Sequence, residues 1–228
     1  MTRISIIVPV FNEEKLIASF LRGLPPFRSM EVVVVDGGSR DRTVPLARGF
    51  QALYPLTVCS APRGRARQMN EGARRATGDI LVFLHVDSAI SEEGLESALK
   101  ALEAPEVVGG AFHLRIDSDR LLLKAVAGMA NRRSRWWGLP YGDQGLFVRK
   151  DVFEKMGGYA DLPLMEDVDF IRRLKKEGRV AFLEEEIITS ARRWEQEGIL
   201  YTTLRNLFLL GLYFLGVPPR RFSKWYHP

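Results

Sequence analysis

Two residues with metal-binding side chains, His85 and Asp87, follow directly on the apolar run of residues 80–84. Side chains two positions apart in an extended segment point to the same side, so this imidazole and this carboxylate can share one cation. His85 and Asp87 are therefore the candidate ligands of a divalent metal ion.

Charged side chains also follow the other apolar runs that we predict as strands. They are Glu13 and Glu14 after the first run, Asp36 after the second, and Arg65 and Arg67 after the third. Ligands of open α/β sheets bind at the carboxyl ends of the strands, where the strand order reverses, so these side chains should meet at one edge. An acidic, basic and imidazole set of this kind suits a nucleotide diphosphate with a divalent cation.

Each of these charged residues also has an ordinary explanation. Acidic side chains in a first helical turn often only offset the helix dipole, and arginines often form a solvated surface. Two other phosphate-binding signatures are disfavoured, because no G-x-G-x-x-G follows the first predicted strand and no G-x-x-x-x-G-K-[ST] occurs.

A further group of carboxylates opens a predicted helix at residues 166–177. Asp167 shares a stripe with Phe170 and Leu174, so we expect it at the head of the inward face. Asp169 lies on a neighbouring stripe, where it can pair with Arg173 four residues on. Asp167 should be ionised near the helix N-terminus, which makes it the better candidate base.

The glycine-rich turn of residues 141–145 adds Asp143 and Gln144 as partners for substrate hydroxyls, although turn formation alone also explains its glycines.

The elements that position these residues alternate as in an α/β protein. Strands are predicted at 4–10, 32–35, 56–60, 80–84, 107–116 and 146–149. Helices are predicted at 13–24, 67–76, 92–104, 121–137 and 166–177, the first capped by Asn12 and the last ended by Gly178. We expect one α/β domain with a mostly parallel central sheet flanked by helices.

Composition narrows the class of protein. The chain has 228 residues, 46% of them hydrophobic, and a formal net charge of +5, which is typical of a globular protein and mildly basic. Its basic residues are scattered among acidic ones, which disfavours nucleic acid as a partner. The only cysteine, Cys59, excludes an internal disulfide framework, and we expect no signal peptide, so a cytoplasmic location is the default expectation.

The apolar segment from Leu207 to Val217 would span roughly 16 Å as a helix, too little to cross a bilayer. The cations and aromatic residues of 218–226, and those of 131–137, suit a peripheral contact with the inner face of a membrane. Packing on the sheet or in a homodimer remains an open alternative.

Four segments together resemble the successive motifs of family 2 glycosyltransferases of the GT-A type. They are IIVPVFNEE, VVVVDGGSRDRT, PRGRARQMNEGARRATGDILVFLHVDS and PLMEDVDFIRRL, which cover about residues 1 to 180. GDQGLFVRKDVF and TSARRW further resemble a bacterial subgroup of undefined substrate. The resemblance implies a single GT-A domain with a nucleotide-sugar-binding half, residues 1–117, and an acceptor half with helices, residues 118–228.

The resemblance also implies roles for individual residues. Glu13 or Glu14, together with Asp36, would hold the ribose and base of a nucleoside-diphosphate sugar. Arg67, with Arg65 as second choice, would contact the base or diphosphate.

For the reaction itself, the resemblance implies a Mg²⁺ or Mn²⁺ ion on Asp87, with His85 replacing the first carboxylate of the family's usual D-x-D. Glu166 and Asp167 match an acidic pair in which Asp167 is the base of an inverting transfer. Arg192 or Arg193 would assist the leaving diphosphate electrostatically. The acceptor would be a compound with a hydroxyl group. If the protein contacts a membrane as predicted above, that acceptor would be linked to a lipid. A nucleotidyltransferase and a non-catalytic nucleotide-sugar-binding protein of the same fold remain alternatives.

Overall fold

A computed structural model describes residues 2–27 and 29–226. Eight strands follow one another along the chain: β1 (Ile4–Val10), β2 (Met30–Asp36), β3 (Leu56–Ser60), β4 (Ile80–Phe83), β5 (Ser88–Ile90), β6 (Val107–Asp117), β7 (Leu146–Arg149) and β8 (Arg179–Ser190). The helices are α1 (Ile17–Gly23), α2 (Thr43–Arg48), α3 (Arg65–Arg75), α4 (Glu92–Ala101), α5 (Leu121–Trp137), α6 (Lys150–Lys155), α7 (Glu166–Glu177), α8 (Arg192–Glu197), α9 (Ile199–Phe214) and α10 (Pro219–Phe222).

One sheet holds all eight strands in the order β3-β2-β1-β4-β7-β6-β8-β5. The four strands from β3 to β4 are parallel to their neighbours, whereas β7 is antiparallel to β4 and β6. Strand β8 is parallel to β6 and antiparallel to β5. The predicted α/β class with a mostly parallel central sheet flanked by helices is confirmed.

Both faces of the sheet are covered, because alternate side chains of each strand point to opposite sides. Ile6 and Val32 belong to one buried cluster, whereas Ile7 and Val33 belong to the other. This double burial explains why β2 is apolar almost throughout. The carboxyl ends of β1 to β4 are thereby fixed side by side, which places the loops that follow them at one edge.

Two local predictions were wrong, the start of α1 and the lack of a strand at residues 179–190. Helix α1 begins at Ile17 rather than at residue 13, because Asn12 adopts a left-handed conformation and its side chain accepts a hydrogen bond from the Arg40 amide. Gly178 ends α7, as predicted, but in an extended conformation, and it is required because a Cβ there would lie 2.6 Å from Val108. Strand β8 escaped prediction because three consecutive glutamates, residues 184–186, interrupt its apolar pattern.

The last part of the described chain is helical, as predicted. Leu209 of α9 and Phe222 of α10 pack with Leu164 in a small separate core beside the sheet. No helix in residues 2–27 and 29–226 is both long enough and apolar enough to span a membrane.

Candidate active site

A large cavity of about 1090 Å³ lies at the carboxyl ends of β1 and β4, between the sheet and the helices of the second half. Most of the candidate residues line it, as the sequence predicted for this edge. They are Glu13, Arg65, Arg67, His85, Asp87, Asp143, Glu166, Asp167, Arg192 and Arg193. This volume is of the size that binds a ligand as large as a nucleotide sugar.

The loops after β1 and β2 interlock through hydrogen bonds to backbone amides. The Glu14 carboxylate accepts a hydrogen bond from the Arg42 amide, and its own amide donates to Asp41. Asp36 is buried and accepts hydrogen bonds from the amides of Gly38 and Ser39. Glu14 and Asp36 therefore support the loops at the cavity edge, and their contacts with ribose or base remain predictions.

The two arginines of α3 have different surroundings. Arg67 is exposed and forms a bidentate ion pair of 2.8 Å with Asp161 at the cavity rim. Arg65 points into the acidic part of the cavity. Burial acts to lower the pKa of Arg65, but Glu166, Asp167 and neighbouring groups raise it above its ordinary value. Both arginines line the cavity, so the preference for Arg67 stays a prediction, and Arg65 is the one that faces the acidic groups.

His85 and Asp87 occupy the turn between β4 and β5. Burial, with the nearby Arg65 and Arg193, lowers the pKa of His85 to about 3, so its ring is neutral at physiological pH and retains a nitrogen lone pair. Arg192 connects Asp87, at 3.8 Å, with Glu13, at 3.3 Å. The Glu13 carboxylate is thus held by Arg192 at the cavity wall.

The donor chemistry of this turn fits a divalent cation. A carboxylate and a neutral imidazole are ligands that Mn²⁺ accepts, and Mg²⁺ is commonly held by one or two carboxylates plus substrate phosphates. Among the described residues no group of three or more histidine, cysteine or acidic side chains could hold a metal by itself. A cation on Asp87 and His85 would therefore need oxygen atoms of a bound diphosphate to complete its coordination.

The acidic pair at the start of α7 separates into two electrostatic environments. Glu166 is buried, and burial together with the adjacent Asp167 raises the pKa of Glu166 to about 7, against the effect of Arg65. Asp167 is half-buried and accepts a hydrogen bond of 2.7 Å from the Gly142 amide. Asp169 instead pairs with Arg173 at 2.7 Å, as predicted.

The two predicted substrate partners in the turn of residues 141–145, Asp143 and Gln144, lie in different surroundings. Asp143 lines the cavity, and one of its carboxylate oxygens is buried with no hydrogen-bond partner. Burial and the charge of Asp167 raise the pKa of Asp143 to about 6, although Arg133 opposes this. Gln144 is fully buried and bonds to Ser134 at 2.6 Å, so its prediction as a substrate ligand was wrong. Its role is to hold the turn against α5.

Sequence reasoning missed the side chains that the end of the chain brings to the cavity. Tyr226 accepts a hydrogen bond from Arg193, and Arg220 and Ser223 line the same wall. Trp194 and Asn206 also line it, and each has one buried polar atom without a hydrogen-bond partner in the described part of the chain. The sequence shows the mixture of cations and aromatic residues in 218–226, but nothing in it indicates that this segment folds back over the cavity.

A family model described as Glycosyl transferase family 2 matches residues 5–157. The uncharacterized glycosyltransferase YfnE of Bacillus subtilis is 33% identical over 183 residues, which are 75% of this chain and 45% of that protein. Glycosyltransferase AglE of Haloferax volcanii is 26% identical over 170 residues, 69% of this chain and 56% of that protein. The chain thus spans about half the length of these relatives. Glu166 and Asp167 lie beyond the matched range.

Solved structures share the fold at low sequence identity. TarS of S. aureus in complex with UDP-GlcNAc superposes with a TM-score of 0.67 at 20% identity, covering 82% of this chain and 58% of that one. The mannosyltransferase PcManGT from Pyrobaculum calidifontis in complex with GDP-Man and Mn²⁺ gives 0.66 at 24% identity, covering 82% and 56%. At this identity the likeness establishes the fold.

Proposed function

Because this chain belongs to glycosyl transferase family 2, we propose that it moves a sugar from a nucleoside-diphosphate sugar to an acceptor hydroxyl with inversion at the anomeric carbon. The proposal rests on one observation: side chains that could hold a metal-bound diphosphate and carboxylates that could accept a proton line the same cavity. Asp87 and His85 lie at the end that suits a metal-bound diphosphate, and the Glu166–Asp167 pair lies at the start of α7.

The leaving group of such a transfer is a diphosphate, whose negative charge grows as the glycosidic bond breaks. A divalent cation, Mg²⁺ or Mn²⁺, would be held by Asp87 and His85 and would supply Lewis-acid stabilisation of that charge. Arg65 and Arg193 face the same part of the cavity, since both lower the pKa of His85. Fixed cations in a partly dry cavity stabilise a developing anion without reorganising.

Asp167 is our candidate for the base that removes the proton from the acceptor hydroxyl. The Gly142 amide holds one carboxylate oxygen at 2.7 Å, and the Val168 amide holds the other at 2.8 Å. These two hydrogen bonds fix the orientation of the carboxylate at the cavity, and a general base must be positioned in this way to reach the proton that it removes. Glu166, whose pKa is raised to about 7, is in part protonated at neutral pH and is less suited to that role.

The donor and the acceptor are proposed only by class. The two neighbouring structures are complexes with UDP-GlcNAc and with GDP-Man, so uridine and guanosine diphosphate sugars are the first donors to test. We further propose a cytoplasmic protein with a lipid-linked acceptor at the inner face of the membrane. A nucleotidyltransferase is not favoured, because the family match and the structural likeness both point to sugar transfer.

The test of the base is the substitution Asp167→Asn, measured with a panel of nucleotide sugars by release of free nucleoside diphosphate. Loss of general-base catalysis should reduce turnover by about 10²- to 10⁴-fold while nucleotide affinity stays near that of the unmodified protein. The matched control is Asp169→Asn, whose carboxylate pairs with Arg173 on the same helix and should matter little for turnover. Equal loss in both variants, or full turnover in Asp167→Asn, would reject Asp167.

The test of the cation is titration of UDP and GDP into the protein with Mn²⁺, with Mg²⁺ or with chelator. We expect binding to be much tighter with metal, and Asp87→Ala to remove this difference because a carboxylate ligand is lost. If nucleotide binding is the same with chelator, the cation assignment fails even if the transfer reaction stands.

A further inference from the structure

Helix α9 exposes most of its large apolar side chains and buries polar ones beside a single fully buried leucine, Leu209. Its buried side chains include Thr202 and Arg205, and Asn206 lines the cavity. Its exposed side chains are large and apolar: Leu200, Tyr201, Leu204, Leu207, Phe208, Phe214 and, just beyond it, Leu215. A surface helix of a globular protein normally buries its apolar stripe and exposes its polar one.

The exposed residues form one continuous surface, which we call the α9 face: residues 200, 201, 204, 207, 208, 214 and 215 together with Trp225. At 3.6 residues per turn, the positions from 200 to 214 among them fall on one side of the helix. The ring of Trp225 lies 6.3 Å from that of Phe208 and nearly parallel to it, which joins the end of the chain to this surface. Leu204 and Phe208 are 64% and 57% exposed. A contiguous apolar surface of this kind marks a contact with a partner or a membrane.

The charges around the α9 face favour an anionic partner. Residues 199–226 contain no aspartate or glutamate. Arg221 and Lys224 are exposed next to Trp225, whereas the one arginine inside α9, Arg205, is buried against Glu197. Two copies of this chain meeting through the α9 face would bring two such cationic rims together, which opposes a symmetric dimer.

From this combination we infer that the α9 face docks on the surface of a membrane that contains anionic lipid. The 16 residues of α9 are about 24 Å long, too short to cross a bilayer and suited to lying in its interface. Tryptophan at the boundary and cations beside it are the residues that anchor such a helix among lipid headgroups.

The α9 face borders the cavity, which deepens the function proposed above and rests on it. Asn206 and Tyr226 line the cavity, while their neighbours Leu207 and Trp225 belong to the α9 face. Docking therefore places the cavity wall against the bilayer, where the hydroxyl of a lipid-linked acceptor enters from the membrane side.

The test is co-sedimentation of the full chain with vesicles of phosphatidylcholine alone or mixed with phosphatidylglycerol. We expect binding to the mixed vesicles that weakens with added salt, and little binding to the neutral ones. The double variant Leu204→Gln/Phe208→Gln should bind the mixed vesicles at least about tenfold more weakly, since two apolar anchors are lost. Leu53→Gln, an exposed apolar residue far along the chain from α9, is the matched control and should bind normally.

A second pair of variants separates charge from apolar contact. Arg221→Gln/Lys224→Gln should lower binding to the anionic vesicles by about tenfold and reduce its salt dependence. Arg48→Gln/Lys100→Gln removes the same charge from exposed positions of α2 and α4 and should have a smaller effect.

The outcome distinguishes docking from the transfer function, because UDP and GDP binding is measured on the same samples without vesicles. Normal nucleotide binding with no vesicle binding overturns the docking inference alone. Vesicle binding without nucleotide binding supports docking and counts against the transferase. A dimer in light scattering that the Leu204→Gln/Phe208→Gln variant abolishes, with no vesicle binding, would assign the α9 face to a second copy and overturn the inference.

Discussion

The two walls of the cavity are built in different ways. The sheet-side wall comes from the loops after β1 and β4 and from the start of α3, and the nearby carboxylates of Glu14 and Asp36 are already bonded to backbone amides. The helix-side wall comes from the 141–145 turn and from α8 and α9. There Asp143, Trp194 and Asn206 each have a buried polar atom with no hydrogen-bond partner among residues 2–27 and 29–226.

This difference separates residues that build the cavity from residues that meet its contents. A buried polar atom without a partner costs about 1–3 kcal/mol, so such atoms persist where a ligand or water satisfies them. The carboxylates of Glu14 and Asp36 are bonded within the chain, whereas the helix-side wall offers polar atoms to a ligand or to water. We therefore expect substitutions in the two walls to affect different measurements.

The largest effect should come from Arg65→Gln, which removes the cation that faces the acidic part of the cavity. We expect the affinity for UDP or GDP to fall by about 100-fold, because a partly buried charge loses its contact with the diphosphate. Arg67→Gln is the matched control on the same helix. Its ion pair with Asp161 is exposed, so the same measurement by calorimetry should change by less than about fivefold. If Arg67→Gln lost more affinity for UDP or GDP than Arg65→Gln, Arg67 would be the arginine that contacts the diphosphate.

The next prediction distinguishes two adjacent residues of the 141–145 turn by their effects on stability and on turnover. Gln144→Ala should lower the free energy of unfolding by about 2–4 kcal/mol in urea denaturation, because several buried groups lose their partner. Asp143→Asn should not lower stability, because burial already disfavours the charge of Asp143, and it should reduce turnover, since this side chain lines the cavity. Turnover loss in Gln144→Ala without loss of stability would contradict this assignment.

The smallest expected effect is the contribution of Glu166 to the pH dependence of the free energy of unfolding. The folded state holds the pKa of Glu166 near 7, above the ordinary 4.5, so folding is most favoured where this group is protonated. Its stabilising contribution is present below about pH 4.5 and is lost as pH rises through about 7, at most about 3 kcal/mol. Glu166→Gln should flatten this dependence and be more stable than the unmodified protein at about pH 8 by about 2 kcal/mol. Equal pH slopes in urea denaturation of both proteins would contradict the raised pKa.

Sequence reasoning succeeded where structure is local. Strands β1 to β4 are short apolar runs, and the residues after them reach the cavity because parallel strands end at one edge. The different surroundings of Arg65 and Arg67 could not be predicted, because the partner of Arg67 is Asp161, 94 residues further along the chain. The contact of Tyr226 with Arg193 spans 33 residues and has no periodic signal. Only the folded chain shows such pairings.

The small core that joins Leu164 and Met165 to Leu209 and Phe222 has a consequence for biosynthesis. Met165 precedes the acidic pair in a left-handed conformation that a side chain adopts only when its surroundings enforce it. Those surroundings include Leu209 and Phe222, which leave the ribosome more than 40 residues later. A nascent chain can therefore complete its sheet early, while Asp167, which we propose as the base, reaches its final position only when synthesis has passed residue 222.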